Sequence, residues 1–236
     1  MGFIALLAMI LSGINAKFSV VCHGSDIMAY PHKWCFWLNK IVLNAAERII
    51  AVSEPMYKKL LSWKINPQKI FVGQYGVLIE KKESVKRDID IISIRDASPN
   101  SQIEFMLCAL SKIENIRYKK IVFVIPNIDR KRLETLKEKY SYIKFYERMS
   151  HSDIVSLLVR TKIYISATKS DGTSLSLLEA MAYGAYPIVS NIPTNACWIQ
   201  NDVNGKLFQT ESELICDVNK TINLSASEYK SVRKSN

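Results

Sequence analysis

Residues 163–189 read IYISATKSDGTSLSLLEAMAYGAYPIV, and this stretch decides the fold class of the chain. Residues 163–166 and 185–189 are short apolar runs, which are typical of strands buried on both faces of a parallel sheet. Between these runs, residues 167–173 form a polar loop with a glycine, and residues 174–183 have the apolar spacing of a helix. A strand, a helix and a second strand form a βαβ unit, which predicts an α/β protein with a parallel sheet.

Alternating strands and helices also precede this unit, in two runs. The alternation predicts two doubly wound parallel-sheet domains, and the first run has too few strands to complete one. The other predicted strands are residues 18–22, 48–52, 69–72, 89–94, 120–125 and 143–146. The other predicted helices are residues 3–12, 33–45, 53–63, 102–112, 129–140 and 151–159.

A charged linker separates the two runs. Residues 80–88 read EKKESVKRD, and eight of these nine residues are polar, which indicates a solvated connection. We therefore predict a partial first domain over residues 1–82 and a complete second domain over residues 83–208. Residues 209–236 are polar, and we expect them to form a helical tail.

The composition is that of an ordinary globular protein. Hydrophobic residues make up 48% and charged residues 23% of the 236 positions, which excludes a disordered chain, a collagen-like repeat and a disulfide scaffold. The net charge of +10 favours anionic partners, such as phosphates or an anionic membrane surface. Basic runs at residues 117–120 and 130–132 raise nucleic acid as an alternative. No groove-reading or base-stacking motif accompanies these runs, so we expect helix surfaces and no nucleic acid.

The five cysteines are odd in number and form no C-x-x-C pair, which favours reduced thiols in a cytoplasmic protein. His23, His32 and Cys35 lie near one another in the sequence. No second ligand pair completes a metal site, so no metal is expected.

The apolar N-terminus, MGFIALLAMILSGINA over residues 1–16, resembles the core of a signal peptide. It has no basic start, and it is shorter than the ~20 residues that a membrane-spanning helix requires. Because a strand-like run follows at once, we favour a helix over residues 1–12 that is buried against a sheet. A secreted mature protein that begins near Lys17 is the alternative.

Ligands of open parallel sheets bind beyond the carboxyl ends of the strands, so the strand-to-helix loops hold the candidate site residues. In the loop quoted first, Gly172 permits close approach to the backbone, and Thr173 or Ser174 caps the next helix beside N–H groups that suit a phosphate. Asp171 lies in this loop, and Glu179 follows eight positions later in the helix, where a carboxylate accepts hydrogen bonds from two sugar hydroxyls. Taken singly, these residues are also explained by an acidic loop, a helix cap and a solvent-facing glutamate.

Two further loops contribute polar residues. The loop HGSD at residues 23–26 directly follows a predicted strand, so we expect His23 to point into the crevice beyond the sheet. Arg95 ends another predicted strand, and its fork-shaped guanidinium suits a diphosphate. A structural histidine and a surface arginine or ion-pair partner are the alternatives.

Taken together and in order, these loops resemble the retaining GT-B glycosyltransferases of the group 1 family. Residues 170–184, SDGTSLSLLEAMAYG, are the most specific part, because they resemble the family's E-x7-E signature with Asp171 in place of the first Glu. The resemblance covers roughly residues 1–210. Its other motifs are HGSD at residues 23–26, RIIAVS at 48–53, GV at 76–77, ISIR at 92–95, PIVS at 187–190 and NGKL at 204–207.

The resemblance implies a GT-B-like fold of two Rossmann-like domains, here without the first part of the N-terminal domain and the C-terminal crossing helix. It implies transfer of a hexose from a UDP- or GDP-linked donor to a glycan or lipid-linked acceptor, with retention and without a cofactor. By resemblance, Glu179 holds the ribose hydroxyls, and Asp171 and His23 contact the hexose. Arg95 neutralises the leaving diphosphate. The other donor-binding residues implied are Gly24, Gly172, Thr173, Ser174 and Leu175.

The sequence also departs from the family. Residues 98–101 read SPNS where the family has a lysine, and Pro126 and Asn127 replace a glycine-rich turn. These departures favour the alternative of a non-catalytic nucleotide-sugar-binding remnant, or of the donor-binding subunit of a split enzyme. In either case we expect a cytoplasmic protein, peripheral at an anionic membrane. Half a domain leaves apolar faces uncovered, so we also expect a partner chain or a second copy.

Overall fold

The computed structural model describes residues 2–13, 16–24, 26–28, 33–79 and 85–224. Contacts divide the chain into two compact units. The first comprises Met1–Tyr75 and Ser170–Ser174, and the second comprises Gly76–Lys169 and Leu175–Asn236. Ser25, His32, residues 80–84 of the predicted linker and residues 225–236 of the predicted tail lie outside the described residues.

A three-stranded parallel sheet forms the first unit, in the order β1-β2-β3. The strands are β1 (Ser19–Cys22), β2 (Arg48–Ala51) and β3 (Ile70–Val72), and the helices are α1 (Gly2–Leu11), α2 (Lys33–Ala45) and α3 (Glu54–Ser62). Ile49, in the middle strand, pairs with Val20 of β1 and Ile70 of β3. Its side chain is fully buried and belongs to one core with Met56 and Leu60 of α3.

A six-stranded parallel sheet forms the second unit, in the order β6-β5-β4-β7-β8-β9. Its strands are β4 (Ile89–Ile94), β5 (Ile121–Val124), β6 (Ile143–Tyr146), β7 (Thr161–Ser166), β8 (Tyr186–Ser190) and β9 (Lys206–Phe208). Its helices are α4 (Ile103–Ser111), α5 (Arg130–Lys139), α6 (His151–Val159), α7 (Leu175–Ala182), α8 (Pro193–Ala196) and α9 (Glu211–Ile222).

The central strand β4 explains why this sheet is covered on both sides. Its sequence, IDIISI, has isoleucine at four of six positions, and only Asp90 is incompletely buried. Ile91 belongs to a core cluster on one face of the sheet, and Ile92 belongs to a second cluster on the other face. This double burial is the pattern of a parallel sheet between two helical layers.

The predicted strands and parallel pairing between residues 89 and 190 are confirmed, with ends that shift by one or two residues. β9 was not among the predicted strands, whereas α9 is a helix within residues 209–236, where a helical tail was expected. α9 begins with a capping box, in which Thr210 and Glu213 bond reciprocally to each other's backbone N–H groups. Its side chains Leu214 and Val218 are fully buried in the core of the second unit.

The N-terminal helix forms as predicted, but the expectation that it is buried against a sheet is wrong. α1 contacts α2, yet Ile4, Ile10 and Leu11 are 71%, 66% and 78% exposed. The reason is geometric: α1 is apolar on every side, and contact along one side leaves the others open. None of the described helices is long and apolar enough to cross a membrane.

Candidate functional site

The loop after β1 takes its shape from Asp26. Its carboxylate accepts hydrogen bonds from the backbone N–H groups of Gly24, at 2.8 Å, and His23, at 3.3 Å. Gly24 adopts a φ of +130°, which favours glycine at this position. Asp26 therefore stabilises a tight turn directly after the strand, and this turn presents His23.

The exposed imidazole of His23 is held by Tyr75. The Tyr75 hydroxyl lies 2.8 Å from Nδ1, and the two rings stack with centroids 5.9 Å apart and an angle of 10° between their planes. Burial raises the pKa of the preceding thiol, Cys22, to about 12, with a smaller contribution from Asp26. The thiol is therefore neutral near pH 7.

Gly24 and Gly172 approach each other within the first unit. A Cβ atom on Gly172 would lie 2.3 Å from the carbonyl oxygen of His23, and one on Gly24 would lie 2.5 Å from the nitrogen of Gly172. Contacts this short exclude any side chain at either position. The structure thus brings together two loops that the sequence selected independently, and both glycines serve this backbone contact.

The other residues of the segment Ser170–Ser174 are also fixed locally. Thr173 is buried, and its hydroxyl donates a hydrogen bond to the carbonyl oxygen of Val52 at 2.6 Å. The Asp171 carboxylate accepts a hydrogen bond from the Gly172 N–H at 2.8 Å and remains partly exposed. Thr173 therefore anchors the segment to the loop after β2.

Arg95 lies at the carboxyl end of β4 in the second unit. Its Nη1 lies 3.4 Å from the Ser176 hydroxyl, and its Nη2 bonds the Thr168 hydroxyl. The Ser176 hydroxyl is also 2.8 Å from the Tyr164 hydroxyl. A row of hydroxyl groups thus holds the guanidinium against the start of α7, at the edge where parallel sheets bind their ligands.

Hydrogen bonds among its own residues stabilise the turn that follows Arg95. The Asp96 carboxylate accepts hydrogen bonds from the hydroxyls of Ser98, at 2.8 Å, and Ser101. Burial raises the pKa of Asp96, but the hydrogen bonds from Ser101 and Ser98 outweigh it and leave the pKa below its usual value. The two serines, in the region where the family has a lysine, therefore stabilise a carboxylate.

Glu179 has a partner that the sequence did not identify. His151, the first residue of α6, places its Nε2 atom 2.8 Å from Oε1 of Glu179. The histidine side chain is 59% exposed and the glutamate side chain 20% exposed. The available signal was the position of His151, because it starts a helix directly after β6, at the carboxyl edge of the same sheet.

The predicted site residues fall into two groups. His23, Gly24, Asp171, Gly172, Thr173 and Ser174 lie in the first unit, and Arg95, Leu175 and Glu179 lie in the second. In the second group, Arg95 contacts Ser176 of α7. Glu179 follows Ser176 by three positions, so Ser176 and Glu179 lie on one face of this helix. Leu175 starts this helix with an exposed side chain.

Solved structures share this architecture of parallel-sheet, Rossmann-like units. Alr3699/HepE from Anabaena, in complex with UDP and glucose, is 14% identical, with a TM-score of 0.81 over 100% of this chain and 70% of that chain. The GtfA/B complex is 14% identical, with a TM-score of 0.72 over 97% of this chain and 50% of that chain. These similarities define the fold as the α/β fold of the GT-B glycosyltransferases.

Sequence comparison then places the chain in a family. A profile described as "Glycosyl transferases group 1" matches residues 77–234, and the chain belongs to this family. The Xenopus tropicalis protein "Glycosyltransferase 1 domain-containing protein 1" is 22% identical over 195 residues, which are 74% of this chain and 56% of that protein. The chain spans about half the length of the curated relatives it matches.

Proposed function

We propose that this protein binds a UDP- or GDP-linked hexose and transfers the hexose to a glycan or lipid-linked acceptor, with retention of the anomeric configuration. The observation that carries the proposal is the arrangement on α7. Arg95 lies against Ser176, and Glu179 lies three positions further along the same face. A nucleoside diphosphate has its ribose next to its diphosphate, so a carboxylate on one face of α7 and a guanidinium beside that face suit it.

We assign Glu179 and Arg95 to different parts of the donor. Glu179 accepts hydrogen bonds from the ribose hydroxyls. Arg95 stabilises the negative charge that grows on the diphosphate as it leaves, and the positive N-terminal end of the α7 helix dipole assists it. Both are preorganised, since Arg95 is held by the Thr168 hydroxyl and Glu179 by His151.

We assign the hexose to Asp171 and His23. Asp171 accepts a hydrogen bond from a hexose hydroxyl, and His23 contacts the sugar near the reacting carbon. Their support is the family resemblance and the approach of Gly24 to Gly172, which juxtaposes the loops that present them. On this proposal the donor is a substrate and no cofactor takes part.

The test begins with calorimetric binding of UDP and GDP to the full chain. Binding of one of them, with an affinity that falls in both Arg95→Ala and Glu179→Ala, supports the proposal. Lys137→Ala serves as a charge-matched control, because Lys137 forms an exposed ion pair with Glu134 on α5. A chain that binds neither nucleotide, or variants without effect, would refute the nucleotide assignment.

A second candidate is a nucleotide-sugar-binding protein without transferase activity, such as the donor-binding subunit of a split enzyme. The turn after Arg95 favours it, because Asp96 and its serine partners bring no second cation to the diphosphate. Hydrolysis of UDP-glucose and of GDP-mannose distinguishes the two candidates. Binding without hydrolysis or transfer supports the second candidate, and turnover supports the first.

The proposal also covers the cellular location of the protein and its association with a membrane or a partner chain. The net charge of +10 and the exposed apolar side chains of α1 support a peripheral position at an anionic membrane or against a partner chain. The free cysteines support a cytoplasmic location. Cosedimentation with vesicles that contain phosphatidylglycerol tests the proposed membrane association. A protein that stays in the supernatant at low salt would contradict it.

A further inference from the structure

We infer that His151 is a positioning residue, which orients the Glu179 carboxylate and thereby sets the affinity for the ribose of a nucleoside diphosphate. This inference rests on the proposed function. Its basis is the 2.8 Å contact between His151 Nε2 and Glu179 Oε1.

The backbone of His151 is fixed by the start of its helix. Ser150 caps α6, and its hydroxyl accepts a hydrogen bond from the Asp153 N–H at 3.2 Å. The cap holds the first turn of α6 in place, so His151 projects from a defined position. Glu179 comes from the second turn of α7, and its side chain is mostly buried. The contact therefore joins two rigid elements that both start at the carboxyl edge of the sheet.

One bond from His151 leaves the carboxylate competent for a diol. A carboxylate has two oxygens with about four lone-pair sites, and the histidine occupies one site on Oε1. Oε2 and the remaining sites can accept hydrogen bonds from two neighbouring ribose hydroxyls. A glutamate side chain without this bond samples several rotamers, and a ligand would have to order it on binding.

The contact is not needed to hold the helices together. α6 and α7 pack through buried apolar side chains, which include Val155 and Leu158 of α6 and Leu177 and Ala180 of α7. The His151 side chain, by contrast, lies largely in solvent. Removal of the imidazole therefore leaves the core intact, so a loss of binding reports on the orientation of Glu179.

The experiment measures binding of UDP and of 2′,3′-dideoxy-UDP by calorimetry, with GDP and its dideoxy analogue as the second pair. We expect His151→Ala to weaken binding of the ribose nucleotide about five- to tenfold, and to change binding of the dideoxy analogue less than twofold. His151→Gln keeps an N–H donor of similar reach, so we expect it to restore most of the affinity. Ser156→Ala, on the exposed side of the same helix, is the matched control and should have no effect.

The outcomes separate this inference from the proposed function. Failure of the unaltered chain to bind either nucleotide refutes both. Normal ribose-dependent binding that His151→Ala leaves unchanged refutes the inference alone. An equal loss for the ribose and dideoxy nucleotides, or for the alanine and glutamine variants, also refutes it, because it indicates a general disturbance of the site. Thermal unfolding of each variant confirms that the fold is kept.

Discussion

Asp88 and Arg160 form a bidentate ion pair, with Nε 2.7 Å from Oδ1 and Nη2 2.6 Å from Oδ2. Lys120 reaches the same carboxylate at 2.5 Å. Hydrogen bonds from Arg160 and Lys120 hold the pKa of Asp88 well below its usual range. The last residue of the predicted linker is therefore tied to the residues that precede β5 and β7.

Asp88→Asn should lower the free energy of unfolding by about 1 kcal/mol at pH 7, since the pair is partly exposed and screened by solvent. The folded-state pKa of Asp88 is lowered, so its contribution is complete above the unfolded-state pKa of about 4 and declines as the pH falls further. Urea unfolding at pH 7 and pH 3 should show a smaller difference between variant and parent at pH 3. A difference that grows at pH 3 would contradict the assignment, and Glu134→Gln is the exposed control.

Glu179→Ala should weaken binding of the free nucleoside diphosphate about ten- to hundredfold, because it removes hydrogen bonds between a charged group and the ribose hydroxyls. Asp171→Ala should weaken binding of the nucleotide sugar but barely alter binding of the bare nucleotide, because its partner is on the hexose. Calorimetry with UDP and UDP-glucose, or with GDP and GDP-mannose, measures both effects. Equal, small effects of both substitutions on both ligands would contradict the assignment of Asp171 and Glu179 to the E-x7-E signature.

Gly172→Ala should destabilise the chain by about 1–3 kcal/mol, since the new Cβ would overlap the carbonyl oxygen of His23. Gly24→Ala should be similarly costly, because it adds an unfavourable positive φ to a backbone clash. Gly76→Ala is the control, as no atom lies within 4 Å of its added Cβ. Urea unfolding checks the series, and a neutral Gly172→Ala would show that the two loops do not require the close contact.

The purified chain should self-associate, because α1 exposes Ile4, Ile10 and Leu11 together. Replacement of Ile4 and Ile10 by Gln should shift sedimentation towards the monomer and raise solubility. Lys58→Gln, on the exposed surface of α3, is the control and should not change the distribution. A parent chain that sediments as a monomer at ordinary concentration and salt would contradict this prediction.

Local patterns predicted the parallel sheets because buried strands such as β5, with the sequence IVFV, are apolar at every position. A helical tail was expected over residues 209–236, but the burial of α9 was not, because Leu214 and Val218 are isolated apolar residues within a polar segment. The burial of α1 was predicted wrongly, because a helix that is apolar on all sides has no amphipathic pattern to indicate which side is covered. His151 was not predicted as a site residue, because its contact with Glu179 joins residues that are 28 positions apart in the sequence.

The strand order of the second unit has a consequence for biosynthesis. β4 is made first but lies in the middle, and its second neighbour, β7, follows about 70 residues later. During translation, the isoleucine-rich edge of β4 stays unpaired until most of the unit has left the ribosome, which exposes it to aggregation. Slower synthesis at low temperature, or a chaperone that shields nascent strands, should therefore increase the yield of folded protein.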